Sequence, residues 1–350
     1  MEQISNEAVA NTNAPGGCIN CGHPVVVPGY PNALCADCRQ RFIKFPIPNW
    51  IKIFGAAIGL IFLFSLYKIP RNISLGIHFE KGKTAITEKK YLTAQRELEI
   101  FLKKVPRNLE ARCYLLIASF YNEDYETSGK MFEQLKDQNI EDKDLVSQVE
   151  QTLQFGQPYF ANEKFSALLK EYDNDVMKIP RQRVKNYLDS NKDDIYAATT
   201  YVQITGIEDK QVNSDSILTA ILKLNPDYTP ALFLASAQNR LNKKFEASIE
   251  NCDRMLNINK ESPAAFASKA RTLLWMKKDK EALENATAAV DLDPHHPYME
   301  ATLLMAYHFN QKQKEEEELR KKMAANKDSI AIETYKYAFD VISGKEPFRN

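Results

Sequence analysis

Residues 229–262 read TPALFLASAQNRLNKKFEASIENCDRMLNINKES, and residues 263–296 read PAAFASKARTLLWMKKDKEALENATAAVDLDPHH. These adjoining stretches of 34 residues share a pattern more than a sequence. Extended outward, with 18 residues interposed at 143–160, the pattern gives seven copies across residues 75–330, starting at Leu75, Leu109, Ala161, Ile195, Thr229, Pro263 and Pro297. The column 26 residues into each copy reads Phe101, Leu135, Tyr187, Ile221, Met255, Ala289 and Met323, apolar throughout. Three residues earlier it reads Leu98, Phe132, Val184, Leu218, Cys252 and Ala286, and only Arg320 of the last copy breaks it. That spacing places both columns on one face of a helix, and a face repeated at this period buries itself only by stacking on its neighbours. The expected fold class is all-α, a solenoid of helical hairpins. Such a solenoid is quasi-one-dimensional, so one unit can absorb most of a 350-residue chain.

The copies resemble the tetratricopeptide repeat (TPR). Small residues recur where paired helices cross closely, at Gly82, Ser236 and Ala270 and again at Ala94, Ser128, Ser214, Ser248 and Ala282. Pro106, Pro226 and Pro294 end their copies, because proline cannot donate to a continuing helix. In the copy 161–194, Pro180 takes a small-residue position and is expected as the first residue of the second helix. Residues 143–160 fit no copy and read as one extra helix, Asp144–Phe155, followed by a Gly156-Gln157-Pro158 break. The repeats therefore divide into 75–142 and 161–330, with 331–350 as a C-terminal cap. In the last copy Glu300, Glu316 and Arg320 replace apolar residues, as a solvent-facing end would.

Upstream lies WIKIFGAAIGLIFLFSLY, Trp50–Tyr67, uncharged from Ile53 onward. Eighteen helical residues span about 27 Å, close to the roughly 30 Å hydrocarbon core. Lys52 can snorkel outward, Lys68 closes the other end, and Trp50 and Tyr67 fall where interfacial aromatics belong. Residues 50–68 are expected to be a single transmembrane helix rather than a buried core helix. Gly55 and Gly59 form a GxxxG that would let two copies of the anchor approach as a homodimer.

Before the span, CINCG (18–22) and LCADC (34–38) pair four cysteines. Each CxxC aims two thiolates at one point, and Gly22 permits the positive φ that follows the first pair. The segment 16–40 is similar to a zinc ribbon. That resemblance implies structural Zn2+ on Cys18, Cys21, Cys35 and Cys38, a closed shell with no position for water. A rubredoxin-like iron site, a redox CxxC and a pair of disulfides are the alternatives. His23 reads as a surface residue, and residues 1–15 as a flexible tail.

Lys+Arg and Asp+Glu are 46 each, so no electrostatic footprint points to nucleic acid. Counting basic residues on either side of the span leaves the positive-inside rule tied. Thiolate ligands last longest in a reducing compartment, which puts the N-terminus in the cytoplasm and the repeats outside. None of the five histidines stands in HExxH, and neither GxSxG nor a P-loop occurs, so no enzyme is expected. The TPR resemblance implies a concave face lined by first helices, with Phe79, Phe120, Tyr121, Tyr196, Phe233, Trp275, Tyr298 and Phe309 facing a protein or peptide partner. The Lys/Asn/Arg set of chaperone-tail-binding members is absent, and Phe79 and Lys83, Cys113 and Ile117, Thr199 and Gln203 stand there instead. The surface therefore suits an apolar or aromatic peptide. The leading reading is a membrane-tethered interaction scaffold. The others are an accessory subunit docking an envelope or secretion enzyme, and a zinc- or redox-responsive sensor.

Overall fold

The computed structural model describes residues 16–43, 47–206 and 213–349, apart from the side chains of residues 43 and 66–72. The expected tail, 1–15, lies outside the described residues. The chain divides into two units, residues 1–72 and 73–350. Among the described residues every regular element is helical.

The first unit contains a cysteine-bearing loop, α1 (Ala36–Ile43) and the beginning of α2 (Asn49–Thr87). Trp50, Ile53, Phe54, Leu60, Ile61, Phe62, Leu63 and Phe64 are each 61–69% exposed, so apolar surface faces outward all round this part of α2. Among the described residues no helix is long and apolar enough to cross a membrane. The side chains of Tyr67 and Lys68, at the end of the expected span, lie outside the description. The expectation of a single span at 50–68 thus gains no support from the described helices.

The second unit continues with α3 (Tyr91–Leu102), α4 (Leu109–Tyr121), α5 (Tyr125–Leu135), α6 (Lys143–Gly156), α7 (Glu163–Lys170), α8 (Arg181–Ser190), α9 (Ile195–Thr205) and α10 (Ser214–Leu224). It is completed by α11 (Thr229–Leu241), α12 (Phe245–Ile258), α13 (Pro263–Trp275), α14 (Asp279–Leu292), α15 (Pro297–Phe309), α16 (Gln313–Ala324) and α17 (Ser329–Ile342). α4, α9, α11, α13 and α15 each begin where the register begins a copy. Asn108, Asp194 and Ser262 cap α4, α9 and α13 by accepting from a backbone N–H three residues on. In five copies the fifteenth position, at Lys89, Glu123, Lys243, Lys277 and Gln311, is left-handed, with φ between 58° and 64°. The following residue's N–H then reaches a carbonyl five residues back at 2.8–3.0 Å, which satisfies a free helix-end carbonyl. That bond offsets a left-handed cost of about 1–2 kcal/mol on a side-chain-bearing residue.

Stacking buries the repeat columns. Leu98, Val184, Cys252 and Ala286 are fully buried, and so are Ala94, Ser236, Ser248, Ala270 and Ala282 among the small positions. A Cβ on Gly82 would lie 2.7 Å from Leu98 Cγ, so only glycine lets these helices meet. Gly82→Ala is expected to lower stability by about 1–3 kcal/mol through overpacking. Gly76→Ala, where a Cβ meets nothing within 4 Å, is expected to hold or raise it. Urea melts of both check the pair.

Four features depart from an even solenoid. Phe132 is 39% exposed, because α6 packs on α4 and leaves the outer face of α5 uncovered. Pro180 is not the first residue of α8 but its cap, in an extended conformation before Arg181. Glu300 does not face solvent: it is 3% exposed, since α17 lies across α15. Its carboxylate accepts from Lys322 Nζ at 2.6 Å and from the Tyr335 hydroxyl. Finally, the later turns touch the first hairpin, so the unit is not one-dimensional. Lys260 N–H donates to the Lys89 carbonyl at 2.9 Å, Thr93 donates twice to Glu261 at 2.6 and 2.8 Å, and Arg96 donates to the Leu292 carbonyl at 3.1 Å.

Candidate functional site

The cysteine module is built by short local bonds. Cys18 N–H donates to the His23 carbonyl and Gly22 N–H to the Cys18 carbonyl, both at 2.7 Å, which closes the first knuckle. Gly22 takes the positive φ, at 74°. The second pair runs into the start of α1, where Cys38 N–H donates to Cys35 Sγ at 3.4 Å. Asn20 Nδ2 donates to Cys38 Sγ at 3.3 Å, so the sulfurs carry the outer hydrogen bonds that metal thiolates use. All four Sγ atoms lie within 4.8 Å of one another, and Cys21 and Cys35 are 3.6 Å apart. A tetrahedral zinc with bonds of about 2.3 Å needs sulfur separations of about 3.8 Å. The cluster is compatible with a metal site, and none of its cysteines is disulfide-bonded.

Electrostatics in the cluster are uneven. A backbone hydrogen bond at Cys35 leads in pulling the Cys18 thiol down to about 6. Cys21 has a backbone hydrogen bond from His23 working to lower it, but three neighbouring thiols outweigh that and push it up to about 12. Four thiols this close cannot all ionise without a cation among them. His23 stays outside the set: it is exposed, and its Nδ1 accepts from Val25 N–H at 3.2 Å.

The eight aromatic residues expected on the concave face separate into two groups. Phe233, Trp275 and Tyr298, from α11, α13 and α15, line one pocket of about 300 Å³, closed by Tyr337 of α17 and by Phe348. The Phe233 and Tyr298 ring centroids are 5.6 Å apart. Phe309 adjoins the pocket but is covered, stacked on Phe348 at 5.4 Å with the Arg349 guanidinium 3.6 Å over its ring. Phe348 in turn lies 5.4 Å from Trp275, and Arg349 is anchored on Asp279 at 3.1 Å.

The others lie apart from that pocket. Phe120 is a core residue, 5% exposed, ringed by Tyr121, Tyr125, Phe155 and Tyr159, because the extra helix α6 packs over α4. Tyr121 stacks on Tyr91 and Phe155, at 4.6 and 5.7 Å. Phe79 stacks on Phe101 at 4.9 Å, and Tyr196 packs on Phe165 at 5.9 Å. Gly55 and Gly59 have nothing within 4 Å of an added Cβ.

Two arginines in the pocket were invisible to the repeat pattern. Arg240 is 8% exposed, and among the described residues its Nη1 donates to Ser268 and Thr272 oxygens, at 3.3–3.4 Å. Arg271 Nε donates to Thr302 at 2.9 Å while its guanidinium lies 3.9 Å over Tyr298. Burial first, and then the like charge of Arg240, pushes Arg271 below the usual guanidinium range. In a chain of balanced charge, an arginine on a first helix reads as solvated surface; only the fold shows these two turned inward.

No family model matches the sequence, and no curated relative matches it. Among solved structures, the chain is similar to the TPR2AB domain of yeast Sti1 in its pHSP90 complex, with 12% identity, TM-score 0.28, and 76% of this chain and 98% of that one covered. It is also similar to the TPR domain of P58(IPK), with 13% identity, TM-score 0.25, and 77% and 89% covered. Neither likeness bears on a ligand. The 34-residue hairpin register of the second unit itself makes the fold a TPR-like helical solenoid.

Proposed function

We propose that this protein is a membrane-tethered scaffold whose TPR-like repeats bind a protein partner, with a structural zinc module on the cytoplasmic side and the repeats on the other. The observation that carries the binding role is the pocket in which Phe233, Trp275 and Tyr298 converge from three successive first helices. A pocket of about 300 Å³, with aromatic walls and a few polar groups, is the kind that seats a partner's side chain. The tether is supported by the exposed apolar side chains all round Trp50–Phe64, a contiguous surface of the kind that meets a partner or lipid. Zinc is supported by the mutual proximity of four thiols, and the cytoplasmic side by their need for reducing conditions.

Full-length protein is expected to resist alkaline extraction from native membranes, and crosslinked pull-downs from them to recover a partner. Phe233→Ala with Trp275→Ala is expected to cut that recovery well over tenfold, since buried aromatic anchors typically carry about 2 kcal/mol or more each. Both side chains are mostly buried, and Trp275 packs on Phe348, so some loss of melting temperature is expected as well, and capture is compared at a temperature where both proteins are folded. Release by carbonate would remove the tether; unchanged capture by the double variant would remove the site.

A further inference from the structure

The aromatic pocket has a charged floor that, among the described residues, no carboxylate pairs. Arg240, on α11, is more than nine-tenths buried, and Arg271, on α13, is part-buried beside it. Among the described residues neither guanidinium meets a carboxylate. Three acidic side chains on nearby elements are engaged elsewhere: Asp253 with Lys269 at 2.6 Å, Glu300 with Lys322 and Tyr335, and Asp279 with Arg349. What the two arginines have instead is serine and threonine hydroxyls, the Ser268 carbonyl and the faces of Tyr298 and Tyr337.

A buried charge without a counter-charge is costly, and two of like sign cost more. Guanidinium forks match carboxylates in geometry, and the pairing strengthens where water is excluded. The aromatic walls at Phe233 and Trp275 would take an apolar group next to the anion. We infer that the Arg240–Arg271 floor recognises a carboxylate on the partner peptide, flanked by an aromatic or large apolar side chain. This deepens the reading of the pocket as the partner site and rests on it. It also changes the expected ligand, from a purely apolar peptide to an anionic one.

The chain has two tryptophans, so full-length protein with Trp50→Phe leaves Trp275 as the sole emitter, inside the pocket wall. Its fluorescence is titrated with four acetylated hexapeptides that share one phenylalanine. One carries an adjacent aspartate and a second has asparagine in its place; a third ends in phenylalanine with a free carboxylate and the fourth is its amide. The aspartate or the free-carboxylate peptide is expected to bind at least tenfold more tightly than its neutral counterpart, and the stronger of the two identifies side-chain or terminal carboxylate as the source. Arg240→Gln and Arg271→Gln are expected to erase that preference. Their melting temperatures in chloride should be equal to or above that of the parent, because a repulsion has been removed. Added acetate, at matched ionic strength, should raise melting of the parent and not of the two variants. Equal binding of charged and neutral peptides, or a preference that survives both substitutions, overturns the anion site and leaves the aromatic groove standing. Silence of Trp275 toward all four peptides overturns both.

Discussion

Full-length protein purified under reducing conditions is expected to carry about one zinc per chain, and Cys18→Ser or Cys35→Ser to carry none and to lose the order of residues 16–43. Metal analysis beside limited proteolysis of that segment measures both effects. The magnitude follows from how little else holds the module. Its buried apolar side chains are Cys18, Cys35 and Cys38 themselves, with Val26 and Leu34 packed against them. Local bonds such as Ile19 N–H to the Ala33 carbonyl at 2.9 Å, or the Arg39 guanidinium 3.5 Å over Tyr30, contribute little alone. Structural zinc in modules of this size supplies about 10–16 kcal/mol of apparent binding free energy, which is then folding free energy. The repeats have their own core, so far-UV helicity should fall only slightly in either variant. Metal-free protein with residues 16–43 fully protected would sink the zinc reading.

The two cysteine turns and the repeat register were legible in the sequence for the same reason. Both are short-range patterns whose geometry is settled within one turn or one hairpin. Five first helices start on the register, and Gly82 and Gly22 stand where close approach and positive φ require glycine. The left-handed residue in five of the hairpin turns was not legible, because Lys89, Glu123, Lys243, Lys277 and Gln311 have no preference for that conformation. The context imposes it through the helix-end bond. Nor could the register show what depends on long-range closure. Phe120 sits at a groove position of its copy, yet α6 and Tyr159 turn that position into core. The same holds for the partner pocket. Phe233, Trp275 and Tyr298 follow from repeat arithmetic, whereas Arg240 and Arg271 show themselves only through their contacts with α13 and α15, and Phe348 only through the residues after α17 folding back on Trp275 and Phe309. A residue's column says which face it occupies, but not whether a later segment will cover that face.

Glu300 makes that last point measurable. The column has it facing solvent, and the structure buries it at 3% exposure against Lys322 and Tyr335. Removing Lys322 would leave a buried carboxylate held by one phenol. Breaking a buried pair costs about 3–5 kcal/mol, and Lys322→Met is expected at the low end, about 3 kcal/mol. The reason is that Lys322 is 55% exposed, so its share is screened. Glu300→Gln combined with Lys322→Met should recover most of the loss, since no uncompensated charge then remains. Tyr335 reports the same network through pH. Burial, and then the hydrogen bond to Glu300, pushes its hydroxyl up to about 12. The folded state thus favours the neutral phenol: its contribution is complete below the ordinary tyrosine value of about 10 and is lost as pH rises through 12. At about 1.4 kcal/mol per unit that is about 2–3 kcal/mol across the window, and Tyr335→Phe should flatten this part of the stability–pH curve. Urea melts of the single and double variants at neutral pH, and of wild type and Tyr335→Phe from pH 9 to 12, test both arms. Were Lys322→Met within about 0.5 kcal/mol of wild type, as exposed substitutions usually are, Glu300 would have to reach water and α17 would not seal the last hairpin.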